Sequence, residues 1–239
     1  MKRMLLGTYA VIAWLGFLAA VVWAIAFLAN ISPATTIDGP ARTSTTLAVV
    51  IDAGLLGLFA LHHSVMARPA AKRMLTRLVP EAAERSTYVL TADLLLALVL
   101  WQWHGIPTGI WTAHGLTRDL VWVLYSVGWA IAVASTFMID HLDLFGLRQA
   151  LGRRSHPPAF RARWLYRVVR HPLMLGLLIA FWSTPSMTVG HLIFAGLASG
   201  YVAIGIWFEE RDLRVELGPA YLAYAATTPA IVPGLSRSR

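Results

Sequence analysis

Long stretches of this chain lack polar positions, and those stretches mark out its elements. Leu5 to Ala29 contains no charged residue; at about 1.5 Å of rise per residue it can cross a hydrocarbon core roughly 30 Å thick. It reads as a membrane span rather than a cleaved leader, whose apolar core is only about 7 to 15 residues long and ends at a small-residue cleavage site. Leu47 to Met66 is a second run, interrupted by Asp52 and ending near His62-His63-Ser64. Tyr88 to Trp103 is a third, with Asp93 inside it and Trp101 and Trp103 at its end, where an aromatic belt would sit. Leu120 to Ile139 is a fourth. The last block, Leu173 to Phe208, is too long for one ordinary crossing, and Ser183-Thr184-Pro185-Ser186 interrupts it. Proline removes a helical donor and its neighbours favour a turn, so this block predicts a hairpin with a short first arm and a second arm from Met187 to Phe208.

The distribution of charge gives these spans a direction. With the N-terminus inside, one crossing per run and two for the last block, eighteen of the twenty Lys and Arg residues fall on one side. Only Arg42 and Arg118 fall on the other, a strong positive-inside bias. The expected fold class is therefore all-α: a multi-pass transmembrane helical bundle, four single spans plus a Pro-interrupted C-terminal helical hairpin, with both termini cytoplasmic. Residues 1–239 read as a single integral membrane domain in the cell inner membrane or another cytoplasm-facing membrane. The composition agrees, with 57% hydrophobic and 13% charged residues against about 25% charged in soluble domains. The net charge of +8 comes with no nucleic-acid-binding pattern, so the lipid bilayer rather than nucleic acid is the expected partner. Cysteine is absent, which excludes disulfides, thiolate metal sites and a cysteine nucleophile.

Four polar clusters lie at the inner ends of different spans. The second span ends in His62 and His63, and the fourth runs into Asp140-His141, Asp143 and Arg148. The final block opens with Arg170-His171-Pro172 and closes with Glu209-Glu210-Arg211. Charged ends are ordinary in membrane proteins, but these converge at one membrane depth while the outer loops hold almost nothing ionisable. Arginine forks suit a carboxylate or phosphate, the glutamates suit a cationic group, and the histidines suit proton transfer near neutrality. Pro172 fits the first turn of a helix and holds His171 at a junction. The HH and D-H-x-D spacings match no specific metal motif, so no metal is expected. Asp52 and Asp93, inside spans, need partners, and interhelical pairing accounts for them as well as a role in transfer does.

These segments resemble the isoprenylcysteine carboxyl methyltransferase-like and NnrU-like membrane families, and within them the branch of methanethiol S-methyltransferases. The residues that carry the resemblance are LHHSVMARPAAKR from Leu61 to Arg73, STFMIDHLDLFGLRQ from Ser135 to Gln149, the stretch from Leu165 to Ala195 with its R-H-P, and EERDLRVELGPAYLAY from Glu209 to Tyr224. Met174, where many relatives have Tyr, and Ala225, where a basic residue is common, depart from the pattern. The resemblance implies S-adenosyl-L-methionine as cofactor, held by Arg170, His171, Pro172, Glu209, Glu210, Arg211, Tyr221 and Tyr224. It implies methyl transfer to a small thiol, most simply methanethiol giving dimethyl sulfide. His171 and His141 are the candidate catalytic groups, with His62, His63, Asp140, Asp143 and Arg148 on the substrate side. Other acceptors, hydrogen sulfide or an isoprenylcysteine carboxylate, and an NnrU-like role in haem or nitrogen-oxide metabolism without methyl transfer, are the competing readings. Nothing in the sequence specifies an oligomeric state.

Overall fold

In a computed structural model of the protein, described here for residues 2–139, 141–152 and 164–234, the chain is helical nearly throughout. The elements are α1 (Lys2–Leu28), α2 (Thr45–Met66), α3 (Pro69–Leu75), α4 (Glu81–Gln102), β1 (Gly109–Thr112), α5 (Gly115–Ile139), α6 (His141–Leu144), α7 (Leu147–Ala150), α8 (Pro172–Trp182), β2 (Ser186–Thr188), α9 (Val189–Leu217) and α10 (Pro219–Thr227). Among the described residues, four helices are long and apolar enough to cross a membrane: Arg3–Leu28, Thr45–Met66, Gly115–Met138 and Val189–Leu217. This is the multi-pass helical architecture that the hydropathy predicts, with a short two-stranded pairing of β1 and β2 added to it.

Two boundaries differ from the sequence expectation for clear reasons. The third run begins at Glu81 rather than Tyr88, because Pro80 precedes the helix and Glu81 and Glu84 occupy its first turn, where carboxylates meet the positive end of the helix dipole. The second arm of the hairpin does not end near Phe208 but continues to Leu217. Residues 209–217 are mostly good helix formers, and the helix stops only where Gly218, at φ 54°, is followed by Pro219. Glu209, Glu210 and Arg211 therefore lie within α9. The first arm, α8, spans 11 residues, about half a bilayer core in length.

The chain divides into two compact units. The first comprises Met1–Trp111, Asp140–His156 and Met187–Ile193. Here α4 packs most extensively on α1 and also on α2. Small residues at helical spacing on α1, Ala10, Ala13, Ala20 and Ala24, are buried, and Gly16 admits the Asp93 carboxylate, whose Oδ2 would sit 3.3 Å from an added Cβ. Thr35 donates to the carbonyl of Leu100 and Trp103 Nε1 to that of Ile37. Gly105 is obligatory, since a Cβ there would lie 1.9 Å from the carbonyl oxygen of Gly39.

The second unit comprises Thr112–Ile139, Pro157–Ser186 and Phe194–Arg239. Its centre is the crossing of α5 and α8, the most extensive helix contact in the chain. A Cβ on Gly176 would meet Ala132 N at 2.5 Å and Gly128 O at 2.6 Å, and one on Gly128 would meet Ala180 N at 2.7 Å. Backbone therefore packs on backbone through small residues four apart, as transmembrane helices do when lipid offers no hydrophobic drive to associate. Gly176→Ala should lower stability by about 3 kcal/mol, the upper end of overpacking costs. Gly54→Ala, where a Cβ meets nothing within 4 Å, should change it by less than about 0.5 kcal/mol. Reversible unfolding of the two variants in detergent micelles measures the contrast.

Candidate functional site

The second unit holds one carboxylate on which several elements converge. Glu210, on α9, has a side chain only 7% exposed. Its Oε1 accepts hydrogen bonds from Arg170 Nε at 2.7 Å and Tyr221 OH at 2.8 Å, and lies 2.8 Å from His171 Nε2. Its Oε2 accepts from Arg214 Nη2, one helical turn on, at 3.2 Å. Arg170 and His171 stand immediately before α8, and His171, at φ −123° and ψ 64°, is its N-cap. Pro172 follows at the first helical position, where its missing N–H costs nothing. Tyr221 reaches back because the positive φ of Gly218 turns the chain sharply between α9 and α10.

The C-terminal segment closes around the same pair. Arg170 Nη1 donates to the carbonyls of Ala225, at 3.1 Å, and Thr228. The backbone N–H groups of Arg170 and His171 donate to the carbonyls of Pro229 and Ala230 at 2.9 and 3.0 Å. Tyr224 donates instead to the carbonyl of Tyr166 and packs edge-on against Tyr221 at 5.9 Å. Glu209 is 49% exposed, with its Oε2 3.5 Å from His171 Nδ1.

The electrostatics follow from this arrangement. Burial alone would lower the pKa of His171, but hydrogen bonding and attraction from Glu209 and Glu210 outweigh it and hold the imidazole above its ordinary value. Burial, then Glu210, raises the Tyr221 phenol, and burial pushes Tyr224 up to about 12. Both phenols are thus hydrogen-bond donors at neutral pH. Beside the cluster runs a groove of about 600 Å³ lined by Arg170, Ala203, Ile206, Trp207, Glu210, Arg211, Arg214 and Val215. Residues 203, 206, 207, 210, 211 and 214 form one stripe of α9 at helical spacing, apolar in its first half and charged in its second. This volume lies within the range of small-molecule sites. Its donor set suits a zwitterion joined to an aromatic base: Arg211 and Arg214 for a carboxylate, Trp207 for a ring face, and Glu209 nearby for an ammonium group. S-adenosylmethionine has these three parts, so the residues present fit the cofactor.

The first unit carries the remaining candidates. The Tyr88 hydroxyl lies 3.1 Å from His63 Nδ1, Phe59 stacks on His63 at 5.6 Å, and Arg85 stands 5.3 Å from the Tyr88 ring centre. The His62 ring lies nearly parallel to that of Tyr88 at 6.4 Å. His141 Nε2 accepts a hydrogen bond from Trp14 Nε1 at 2.9 Å, and burial lowers its pKa. Asp143 Oδ1 accepts from Gln149 Nε2 at 3.0 Å. Arg148 lies half-buried on α7, and Asp140 falls outside the described residues. Asp52, fully buried, pairs between elements as expected, accepting from the backbone N–H of His104 at 3.0 Å. Asp93 Oδ2 has no hydrogen-bond partner among the described residues. No group of three potential ligands able to hold a metal occurs among those residues.

Sequence reasoning singled out Arg170, His171 and Glu210 but missed Arg214, Trp207, Trp14 and Tyr88. Arg214 had a signal, its i,i+4 spacing from Glu210, and Trp207 shares the same helical stripe. Trp14 and Tyr88 had none.

Comparison with known proteins places the chain. The profile of the NnrU protein family matches residues 52–212. A protein of Bradyrhizobium diazoefficiens named methanethiol S-methyltransferase 2 is 44% identical, over 99% of this chain and 93% of its own. The methanethiol S-methyltransferase of Mycobacterium tuberculosis is 46% identical over 98% of both chains. Nurim of Sus scrofa is 30% identical over 68% of this chain and 67% of its own. No solved structure matches. The chain belongs to the NnrU protein family and, within it, stands with the methanethiol S-methyltransferases that it matches over nearly their whole length.

Proposed function

We propose that this protein is a multi-pass membrane enzyme of the inner membrane that transfers a methyl group from S-adenosylmethionine to methanethiol, releasing dimethyl sulfide and S-adenosylhomocysteine. The observation that carries the reading is the arginine-lined groove beside the buried Glu210 cluster, in a chain closely similar to proteins named for this activity. The bias of Lys and Arg to one side supports a cytosolic position for that face, from which a charged cofactor arrives, while a small apolar thiol reaches the protein through lipid.

S-adenosylmethionine supplies a methyl group bound to a positively charged sulfur, which becomes a neutral thioether once the methyl has left. The chain's own residues have three tasks. Arg211 and Arg214 hold the cofactor's carboxylate, Glu209 its ammonium, and Trp207 with Ile206 its adenine. Glu210, whose Oε1 already serves three partners, braces Arg170, His171 and Tyr221 behind them. Both ring nitrogens of His171 face carboxylates, Glu210 at 2.8 Å and Glu209 at 3.5 Å, so it anchors the site rather than taking the thiol proton. Orientation is a large part of the available rate, since holding reactants in line replaces a bimolecular encounter.

Purified protein in nanodiscs, given methyl-labelled donor with methanethiol, hydrogen sulfide or a prenylcysteine, should label dimethyl sulfide. Transfer to the prenylcysteine alone, or no saturable donor binding, would overturn the assignment. The two glutamates should also behave differently. Glu210→Gln breaks a buried charge network and should cost about 3 kcal/mol or more in unfolding experiments. Glu209→Gln and Arg211→Gln should unfold as the wild type does yet weaken donor affinity roughly tenfold, as expected on losing a charged hydrogen bond. Calorimetric titration of donor into the folded variants reads this out, and unchanged affinity in both would place the cofactor elsewhere.

A further inference from the structure

Residues 67–80 join α2, which ends at Met66, to α4, which begins at Glu81. These two helices pack on each other, so the connection is tied at both ends to one face of the first unit. It also starts at the membrane surface: α2 is long and apolar enough to cross the bilayer, and only Ala67 and Arg68 separate its last residue from Pro69, the first of α3. Arg68 is extended, at φ −78° and ψ 144°, and Pro69 takes the first helical position, so α3 starts afresh rather than prolonging α2. Backbone hydrogen bonds carry its winding past Leu75. The N–H of Thr76 donates to the carbonyl of Lys72, that of Arg77 to Met74 and that of Val79 to Leu75.

On this winding two exposed rows of side chains lie side by side. Arg73 and Arg77, four positions apart, share one row, and Met74 and Leu78 form the adjoining one. Met74 is 66% exposed and Leu78 77%, which in water would leave two large apolar groups uncovered. Lys72 adds a third cation, and residues 67–80 contain no Asp or Glu. Among the described residues no carboxylate pairs with the side chain of Lys72, Arg73 or Arg77. A loop that only set topology would need the cations but not the apolar row. An apolar row beside a basic one, at the end of a span, suits the headgroup boundary, where acyl chains cover the first and phosphates meet the second.

We infer that the segment from Lys72 to Leu78 is a docking surface for anionic phospholipid, with Arg73 and Arg77 on the headgroup phosphate and Met74 and Leu78 in the acyl-chain layer. Guanidinium forks match pairs of phosphate oxygens. Three cations with no carboxylate among them select a headgroup whose phosphate charge stands alone over one in which choline cancels it. The inference rests on where α2 ends and not on methyl transfer.

Native mass spectrometry of the full-length protein in an uncharged detergent counts bound lipid directly. Phosphatidylglycerol should bind at about a tenth of the concentration that phosphatidylcholine of the same chains requires, the selectivity that a few basic residues give an interfacial segment. Arg73→Gln/Arg77→Gln should bring the two lipids level. Arg73→Lys/Arg77→Lys should keep the preference, which separates lost charge from lost fold, and Arg42→Gln/Arg118→Gln, in other loops, should leave it unaltered. Met74→Ser/Leu78→Ser should weaken both lipids alike. Equal binding of the two lipids by the unaltered protein overturns the inference, as does an undiminished preference in the glutamine variant or its loss in the lysine variant. Unchanged binding in the serine variant overturns the apolar contact. Displacement of phosphatidylglycerol by equimolar glycerol 3-phosphate would make this a site for free phosphate and overturn the lipid surface.

Discussion

A carboxylate taken out of water costs several kcal/mol unless its oxygens are satisfied by charged or hydrogen-bonding partners, and Glu210 meets that requirement with four groups from three parts of the chain. Arg170 and His171 come from the junction before α8, Arg214 from the next turn of α9, and Tyr221 from α10. Arg170 then extends the order outward, satisfying the carbonyls that end α10 and its tail. Remove the negative charge and a buried arginine, a buried histidine and a buried phenol lose a common partner. The turn at Gly218 and the return of residues 228–230 follow from the same need. The groove along α9 exists because these side chains are held to one side of it.

The first unit handles polarity differently. Asp52 accepts from the backbone N–H of His104, whose ring Nδ1 stands 3.6 Å from the same oxygen, and the contacts of α1 with α4 run through alanines, one glycine and an aromatic cluster. Histidines there lie against aromatic rings and hydrogen-bonding groups, as His141 does with Trp14 and His63 with Tyr88. Burial lowers the His141 pKa, whereas the two glutamates beside His171 hold its imidazole above the ordinary value. Two histidines that look alike as letters in a sequence thus have their pKa values pushed in opposite directions.

The family likeness and the local geometry bear on different questions. Similarity over nearly the whole chain concerns the reaction class. The hydrogen bonds describe the parts: Glu210 Oε1 serves three partners, Glu209 is half-exposed, and His141 Nε2 accepts from Trp14.

The spans, the break at Ser183–Ser186 and the polar helix ends were legible from sequence because the bilayer imposes a one-dimensional rule. Each backbone N–H in lipid must bond within its own helix, so length and hydropathy suffice to place helices. The stop at Gly218-Pro219 was equally local, although hydropathy alone ended that helix too early, at Phe208. Arg170, His171 and Glu210 stood out as a charged set, yet nothing in the linear order showed that Arg214 would share the Glu210 carboxylate or that Tyr221 would turn back to it. Trp14 and His141 meet across 127 positions. Tertiary structure alone decided those meetings, because they depend on how helices rotate and how closely they cross. That closeness is set by backbone contacts such as Gly128 with Gly176, and the linear order does not say which small residues will meet.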